Sequence, residues 1–347
     1  MSDDSRQRAA RAAWALGLAA ALAAVPAWSA PPAASPAPAG KGAPAAPTPT
    51  PAATSIRFAP QARKMSTYTL SARYEITTSD VTFEAPPAYI DGFNFWAGRM
   101  KGQRRSEVYQ MQTMTQETGA SGMMPFRRTV PRFNLEFEKQ GQVYASAGSV
   151  ERDVVTLVWE GTLDAFGNLK DKRKVAGKDN ADMALLAIDE IDRVFPVVEG
   201  ARDLKVGEGF KEERIMPLPT KLSIAGLDAL TLKITREFTL KSIEGGLATF
   251  DVKVTYGADP AFKPTAEHTT CAISGGGTGG ATFEIPRGVF LWLKVPSSLH
   301  IDIEAPLRPL PGHPETEVAS EGKSHIELAI SLFGQQTVVR SWGDEDK

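Results

Sequence analysis

The stretch from Leu230 to Tyr256 reads LTLKITREFTLKSIEGGLATFDVKVTY, and it decides the fold. Its first half alternates apolar and polar residues, which is the period-two pattern of a β-strand with one buried face. The alternation resumes after Glu244-Gly245-Gly246, a sequence that supplies the glycines that a tight turn needs. The stretch therefore predicts an antiparallel hairpin. Its buried face carries Leu230, Leu232, Ile234, Phe238, Leu240, Phe250, Val252, Val254 and Tyr256.

The same alternation recurs along most of the chain. A second hairpin is predicted from Ala281, through Pro286-Arg287-Gly288, to Val295. The segment 200–219 is rich in glycine and proline, which indicates a connection. The pattern as a whole predicts a mainly β protein of curved antiparallel sheets, half-barrel or sandwich-like. The two halves of the chain could form such sheets as a duplicated lobe. Further strands are predicted at Tyr68–Thr77, Ser106–Thr115, Phe133–Phe137, Val154–Leu163, Leu299–Ile303 and Ile326–Leu332.

One amphipathic helix is predicted among these strands. Ala184, Ile188, Ile191 and Phe195 recur at helical spacing, and charged residues occupy most of the opposite face. Pro196 ends the element because proline cannot continue a helix. We expect the apolar face to pack on a sheet, and the alternative is a face that binds a partner.

The first 29 residues have the composition of a secretory signal peptide. A basic start precedes the apolar run 12–25, and Ala27-Trp28-Ser29 then places small residues where signal peptidase cuts. The apolar run is shorter than the ~20 residues that cross a membrane. We therefore expect cleavage after Ser29, and the alternative is a membrane anchor. No cysteine lies near the cut, which argues against lipidation there.

These features predict an exported bacterial protein, periplasmic or extracellular, with no transmembrane span after the signal is removed. Residues 30–55 are almost wholly Pro, Ala, Thr, Ser and Gly, which predicts a disordered linker because such a segment cannot bury a core. The remainder is long enough for the core to divide. We expect an N-terminal β lobe over 56–205 that ends in the helix, and a C-terminal β lobe over 206–343.

The composition narrows the classes of function. The chain has 347 residues, of which 42% are hydrophobic and 23% charged, and a formal net charge of −2. These values exclude a collagen-like or wholly disordered chain and offer no basic field for nucleic acid. Cys271 is the only cysteine, so no internal disulfide can form. Its neighbours predict a strand, and we expect a small buried thiol rather than a nucleophile.

The glycine-rich run 274–280 resembles a nucleotide-binding loop only superficially. Gly275, Gly277 and Gly280 satisfy G-x-G-x-x-G, but a strand is predicted after them where that motif needs a helix N-terminus. Ala281 also stands where a P-loop requires lysine. We therefore predict a flexible hairpin or a bulge at this run.

No motif indicates a catalytic residue, a cofactor or a metal. The histidines His268, His300, His313 and His325 lack the close spacing that is common among zinc ligands. The nucleophile motif G-x-S-x-G is also missing from the sequence. We therefore predict none of these sites, although ligands or triad residues that are distant in sequence can still converge.

Two groups of residues are candidates for ligand binding. Phe93, Phe95 and Trp96 lie between a proline pair and several basic residues, which is typical of an exposed aromatic loop that binds glycan, lipid headgroup or protein. The alternative is a buried aromatic plug. The second group is the strand face with Leu230, Leu232 and Ile234, which we expect to enclose apolar space beneath the helix. There the alternative is a filled core.

Several short features of the segment 143–333 carry a family resemblance. They are Phe195-Pro196 after a helix, Val206-Gly207-Glu208, the glycine run before Thr282-Phe283, Gly288-Val289-Phe290 and Ile301-Asp302-Ile303. In these features the segment resembles an uncharacterised family of secreted bacterial β-rich proteins and lipoproteins of unknown function. The resemblance implies a β-rich envelope protein and brings no known catalytic residue. The chain differs from that family in having no lipidation cysteine.

Two hypotheses on function follow. The first is a non-catalytic binding or envelope-associated protein that holds a small amphiphile or an envelope component. The second is a secreted hydrolase whose site is assembled from distant residues. A helix-covered apolar cavity favours the first hypothesis. A deep polar pocket with two histidines, or with a histidine and a carboxylate, favours the second.

Overall fold

The structure is a computed structural model, and it describes residues 54–146, 148–178, 194–217, 230–263, 268–307 and 321–340. The predicted signal peptide, almost all of the predicted linker and residues 184–193 of the predicted helix lie outside this part of the chain. No helix among the described residues is long and apolar enough to cross a membrane.

The described residues form mainly β-strands. Two helices accompany them, α1 (Pro87–Met100) and α2 (Gly148–Val154). The strands are β1 (Ser55–Phe58), β2 (Ser66–Glu84), β3 (Gln103–Thr115), β4 (Met124–Lys139), β5 (Gln142–Ser146), β6 (Val158–Leu163), β7 (Leu169–Ala176), β8 (Arg202–Lys205), β9 (Gly209–Pro217), β10 (Thr231–Glu244), β11 (Leu247–Ala258), β12 (Thr270–Glu284), β13 (Val289–Pro306) and β14 (Glu321–Arg340).

Within these residues, one curved antiparallel sheet of 12 strands dominates the fold. Its order is β7-β6-β4-β3-β2-β14-β13-β12-β11-β10-β9, and β5 adds to β4. Strands β1 and β8 form a separate two-stranded sheet. The mainly β, curved antiparallel architecture is therefore confirmed.

Each predicted hairpin forms with local pairing. In the first, Leu232 pairs with Ala258 and Phe238 with Val252. Gly245 and Gly246 connect the strands with φ values of 56° and 81°, and these positive angles suit the tight turn whose twist matches two antiparallel strands. The second hairpin joins β12 to β13 through the turn at 285–288.

Strands from both predicted lobes belong to the one sheet. They join where β14 pairs with β2, with Ile330 opposite Ile76. This contact links residues far apart in sequence, so the turn chemistry that fixes the hairpins does not specify it. The division into lobes at residue 205 stays a prediction, and the sheet continues through both.

The buried side chains lie on one face of the sheet, here called the inner face. Strand alternation places Leu232, Val254, Leu299 and Tyr109 there, and successive residues point to the opposite, outer face. Aromatic rings pack around the fully buried Phe58 of β1. Its ring centroid lies 4.8–5.9 Å from those of Phe210, Phe250, Phe283 and Phe290.

A second group of buried residues covers the β2–β6 part of the inner face. It includes Tyr109, Phe133 and Trp159. The segment 194–198 connects it with the main core, because Val194 is buried in the second group and Val198 in the main one. This short segment therefore lies across the sheet where the two cores meet.

Three local predictions need correction. The stretch Phe93–Trp96 lies in α1 and not in a loop, because Pro87 occupies the first turn, where proline favours a helix. Val194 and Phe195, predicted as the end of the helix, form a bend. The segment 200–219 contains both β8 and β9, and charged residues on both faces of β9 hide the apolar period.

The glycine run is also placed differently from its prediction. It lies inside strand β12 and forms neither a flexible hairpin nor a bulge, since its pairing with β11 and β13 continues without a shift of register. Gly275 has a φ of 131°, a conformation that side chains disfavour. Neighbouring backbone approaches closely here, since a Cβ atom on Gly277 would lie 2.1 Å from the carbonyl oxygen of Pro296. Only glycine permits this approach without a shift of the strands.

Candidate functional site

A cavity of about 80 Å³ lies on the inner face of the sheet. Its walls come from β9, β10 and β11 on one side and from β2, β3, β13 and β14 on the other. The apolar part of the wall is formed by Leu232, Ile234, Val254, Val295, Ile330 and Leu332. The volume suffices for a short hydrocarbon chain or a few water molecules.

Gly277 of β12 lies beside this space. It pairs with Val254 of β11 and with Ser297 of β13, and both of these partners line the cavity. A Cβ atom at this position would lie 2.1 Å from the carbonyl oxygen of Pro296, so glycine allows β12 and β13 to approach closely next to the cavity wall.

Three charged residues form a buried cluster at one end of the cavity. The carboxylate of Glu212 lies between the guanidinium groups of Arg214 and Arg236, and Arg214 and Arg236 both line the cavity. Arg236 donates from Nε to Glu212 Oε2 at 2.9 Å. Arg214 donates from Nε to Glu212 Oε1. Among the described residues, these two guanidinium groups share the carboxylate of Glu212, and all three side chains are shielded from water.

The same cluster holds the segment 194–198 on the sheet. Arg236 Nη1 donates to the carbonyl oxygen of Val194 at 2.9 Å, and Arg214 Nη2 donates to that of Phe195 at 3.0 Å. Glu212 Oε1 accepts the backbone N–H of Val197 at 2.9 Å. Charge-assisted bonds of this kind are stronger than neutral ones, so the cluster fixes the segment at the boundary of the two cores.

Glu107 forms the opposite polar wall of the cavity. Its side chain is 2% exposed and forms an ion pair with Arg105. Burial raises the pKa of the Glu107 carboxyl above its ordinary value of 4.5, and the attraction of Arg105 offsets this only in part. A hydroxyl pair completes the polar lining, since Tyr256 Oη and Ser297 Oγ are 2.7 Å apart.

The raised pKa of Glu107 predicts a pH-dependent contribution to stability. Above the ordinary value of 4.5, the unfolded chain releases this proton while the folded protein still holds it, so the free energy of unfolding falls as the pH rises. The variant Glu107→Gln stays neutral and should lack this loss. As the pH is raised from 4, the urea midpoint of the variant should rise relative to that of the original protein. A difference that is constant with pH would contradict the assignment.

The six residues predicted to bind a ligand lie in different parts of the fold. Leu232 and Ile234 line the cavity, whereas Leu230 is buried in the main core beside it. Phe93, Phe95 and Trp96 lie on α1, and their part in binding stays a prediction. Of the three strand-face residues, whose side chains the structure describes, two lie at the cavity wall.

The sequence analysis missed the charged cluster. One signal was present, because Arg236 falls on the same parity as Leu232 and Phe238 and interrupts an apolar series. A buried arginine requires a partner, and the pairing of β10 with β9 places Glu212 opposite Arg236. The sequence between these two strands contains no tight-turn motif, so it does not predict that they pair in this register.

Cys271 does not form a reactive centre. The residue lies in β12, as predicted, with a partly buried side chain. Burial, and next the negative charge of Asp302, raise the pKa of the thiol to about 11. The thiolate is the nucleophilic form, so at neutral pH the residue behaves as a small apolar side chain.

Comparison with known proteins identifies no family. No protein-family model matches the chain, and no curated protein matches it. Among solved structures, it is matched with the outer membrane protein OprG from Pseudomonas aeruginosa, at 8% sequence identity and a TM-score of 0.19. The match covers 80% of this chain and 99% of that chain. These values are too low to support a common fold or function.

Proposed function

We propose that this protein is a non-catalytic carrier in the bacterial envelope and holds a small amphiphile in the inner-face cavity. The observation that carries the proposal is the combination of an apolar wall with a buried cluster of two arginines and one glutamate at one end. A short hydrocarbon chain would lie against Leu232 and Ile234. An anionic headgroup would accept charge-assisted hydrogen bonds from the guanidinium groups of Arg214 and Arg236.

The lining of the cavity supports its interpretation as a binding site rather than as a packing defect. Protein interiors are normally close-packed, and an apolar void costs stability. Here the wall residues Val254 and Ser297 pair with Gly277, which adds no side chain to the lining. Small ligand pockets are typically apolar with a few convergent polar groups, and this lining has that character.

The hydrolase hypothesis is less well supported by the position of the histidines. His300 and His325 lie on the outer face of the sheet, away from the cavity lining. Among the described lining residues, the carboxylate of Glu107 pairs with Arg105 and the hydroxyl of Ser297 with Tyr256, and none is a histidine. A carboxylate with a raised pKa, such as Glu107, does favour acid–base chemistry. Hydrolase activity should therefore be assayed alongside the binding experiment below.

The envelope location rests on the sequence. The basic start, the apolar run 12–25 and the small residues before Ala30 support export with signal cleavage. The resemblance to secreted β-rich bacterial proteins supports the same location. A carrier of an amphiphile suits the envelope, where lipids must cross water between membranes.

The experiment is a comparison of two variants of β10. Ile234→Trp fills the cavity, whereas Thr239→Trp adds the same side chain on the exposed outer face of the same strand. Native mass spectrometry after mild purification should show a bound lipid-like mass on the original protein and on Thr239→Trp. The cavity variant should lose this mass and should bind a fluorescent fatty acid at least about tenfold more weakly, about 1.4 kcal/mol.

Two results would reject the carrier. One is a clean apo mass together with no fatty-acid binding by the original protein. The other is equal binding by both variants, which would place the ligand outside the cavity. Circular dichroism of both variants establishes that a loss of binding reflects the filled cavity and not unfolding.

A further inference from the structure

We propose that the outer face of the sheet carries a binding site for a divalent transition metal, formed by His300, His325 and Glu327. The ligand atoms of these three side chains lie within 4.8 Å of one another. Two imidazole nitrogens and one carboxylate oxygen form a donor set that Zn²⁺ commonly takes in proteins. This site is separate from the inner-face cavity and does not depend on the carrier function.

Strand register brings the three ligands together. His300 of β13 pairs directly with Glu327 of β14, and Asp302 of β13 pairs with His325 of β14. Alternation places all four on the outer face, because their neighbours Leu299, Ile301, Ile326 and Leu328 are buried on the inner one. The site therefore spans two strands of a rigid sheet.

The geometry permits coordination after a small adjustment. The imidazole rings are nearly parallel, with an angle of 21° between their planes and 6.0 Å between their centroids. Ligand atoms around a tetrahedral zinc ion are about 3.4 Å apart. All three side chains are partly exposed, so side-chain rotations close the remaining gap without moving the backbone.

Asp302 positions one of the ligands. Its Oδ1 lies 2.6 Å from His325 Nδ1. Since an ionised carboxylate only accepts hydrogen bonds, the proton of neutral His325 lies on Nδ1, and the lone pair lies on Nε2. A carboxylate that fixes the tautomer and orientation of a histidine in this way is the usual companion of a metal-binding imidazole.

The surrounding charge also favours a cation. Asp80 of β2 pairs across the sheet with Glu327, and Lys101 neutralises Asp80 through a contact of 2.7 Å. Glu327 and Asp302 then remain as two negative charges beside the imidazoles. The imidazole ligands favour Zn²⁺, Cu²⁺ or Ni²⁺ over Ca²⁺ and Mg²⁺, which prefer oxygen ligands. With three protein ligands, zinc would keep a water molecule in the fourth position.

Titration of metal-free, untagged protein tests the site. Isothermal calorimetry should show saturable binding of one Zn²⁺, and Co²⁺ should give the visible absorption of a tetrahedral site. His300→Ala and Glu327→Gln should each weaken the binding at least tenfold. Asp302→Asn keeps all three ligands and should weaken it about 10–100-fold, as losses of such orienting groups do. The control is His268→Ala, which removes an exposed histidine outside the cluster and should leave the affinity unchanged.

The proposal is overturned if Zn²⁺ gives no saturable heat, or if the ligand variants bind as well as the original protein while circular dichroism shows that they are folded. Binding of Ca²⁺ with equal affinity would also overturn it, since that would indicate a general attraction to exposed carboxylates. Ile234→Trp should still bind one Zn²⁺, which separates this test from that of the carrier.

Discussion

Replacement of Glu212 by glutamine should lower the free energy of unfolding by about 3–5 kcal/mol, the usual loss when one partner of a buried ion pair is removed. Glu212 is the carboxylate that Arg214 and Arg236 share, and the side chains of these two arginines are 13% and 7% exposed. Without the carboxylate, both cations remain in a site with little access to water. Their desolvation is then uncompensated.

The glutamine side chain is close in size to the glutamate, so the change tests charge and not volume. Its amide group directs N–H donors at Arg214 or Arg236, which themselves only donate. Glutamine can keep one acceptor for the backbone N–H of Val197. The bonds from the arginines to the carbonyl oxygens of Val194 and Phe195 should weaken because the guanidinium groups lose their common anchor.

The neighbouring residue provides a matched control. Glu213 points to the outer face, where hydrogen bonds from Lys211 and then from Lys233 lower the pKa of its carboxyl to about 2. This carboxylate is exposed, and exposed ion pairs contribute little to stability. Glu213→Gln makes the same chemical change one residue away and should leave the urea midpoint nearly unchanged. Urea unfolding followed by circular dichroism measures both variants.

Equal and small effects of the two substitutions would show that the cluster is hydrated in solution. The carrier proposal, which places the headgroup beside desolvated guanidinium groups, would then lose its basis. A large loss with Glu212→Gln alone supports a desolvated cluster. It would also mean that the headgroup site is a structural requirement of the fold, because the same three residues attach the segment 194–198 to the sheet.

The sequence pattern predicted those elements that depend on neighbouring residues, such as strand alternation and turn glycines. The hairpin of β10 and β11 followed from the parity of Leu232 and Phe238 and from the two turn glycines, Gly245 and Gly246. Helix α1 was missed because Gly92 and Asn94 have low helix propensity and weaken the helical pattern. Pro87 in the first turn and packing on the core compensate for this low propensity. Buried Ala97 contributes to that packing, and tertiary contacts of this kind override propensity.

The functional features depend on pairings between distant strands, which the sequence pattern does not contain. His300 and His325 are adjacent only because β13 and β14 align with one particular register, and a shift of one residue would turn His325 to the inner face. Glu212 and Arg236 meet for the same reason across β9 and β10. The apolar residues Leu232 and Ile234 could be predicted as a buried face, but the space beside them could not, since it depends on the strands that lie opposite.

The glycine run is where sequence interpretation departed furthest from the structure, and it supports a prediction of large effect. Gly279→Ala adds a single methyl group, whose carbon would lie 2.0 Å from the carbonyl oxygen of Lys294 and 2.8 Å from the Cα atom of Val295. Both contacts are with backbone atoms of the adjacent strand, which cannot rotate away. Strands β12 and β13 must therefore separate locally, and each ladder bond lost costs about 0.5–1.5 kcal/mol.

We expect Gly279→Ala to lower the free energy of unfolding by about 1–4 kcal/mol, which corresponds to two or three such bonds. The control is Gly257→Ala on the adjacent strand β11, where a new Cβ atom would have no neighbour within 4 Å. This second variant should be more stable by about 0.5–1 kcal/mol, since alanine loses less backbone entropy than glycine in a strand. Urea unfolding of the pair thus gives changes of opposite sign for one and the same substitution. If both variants were stabilised, β12 and β13 would have to be further apart in solution than in the structure, and the glycines would then serve flexibility instead of close strand approach.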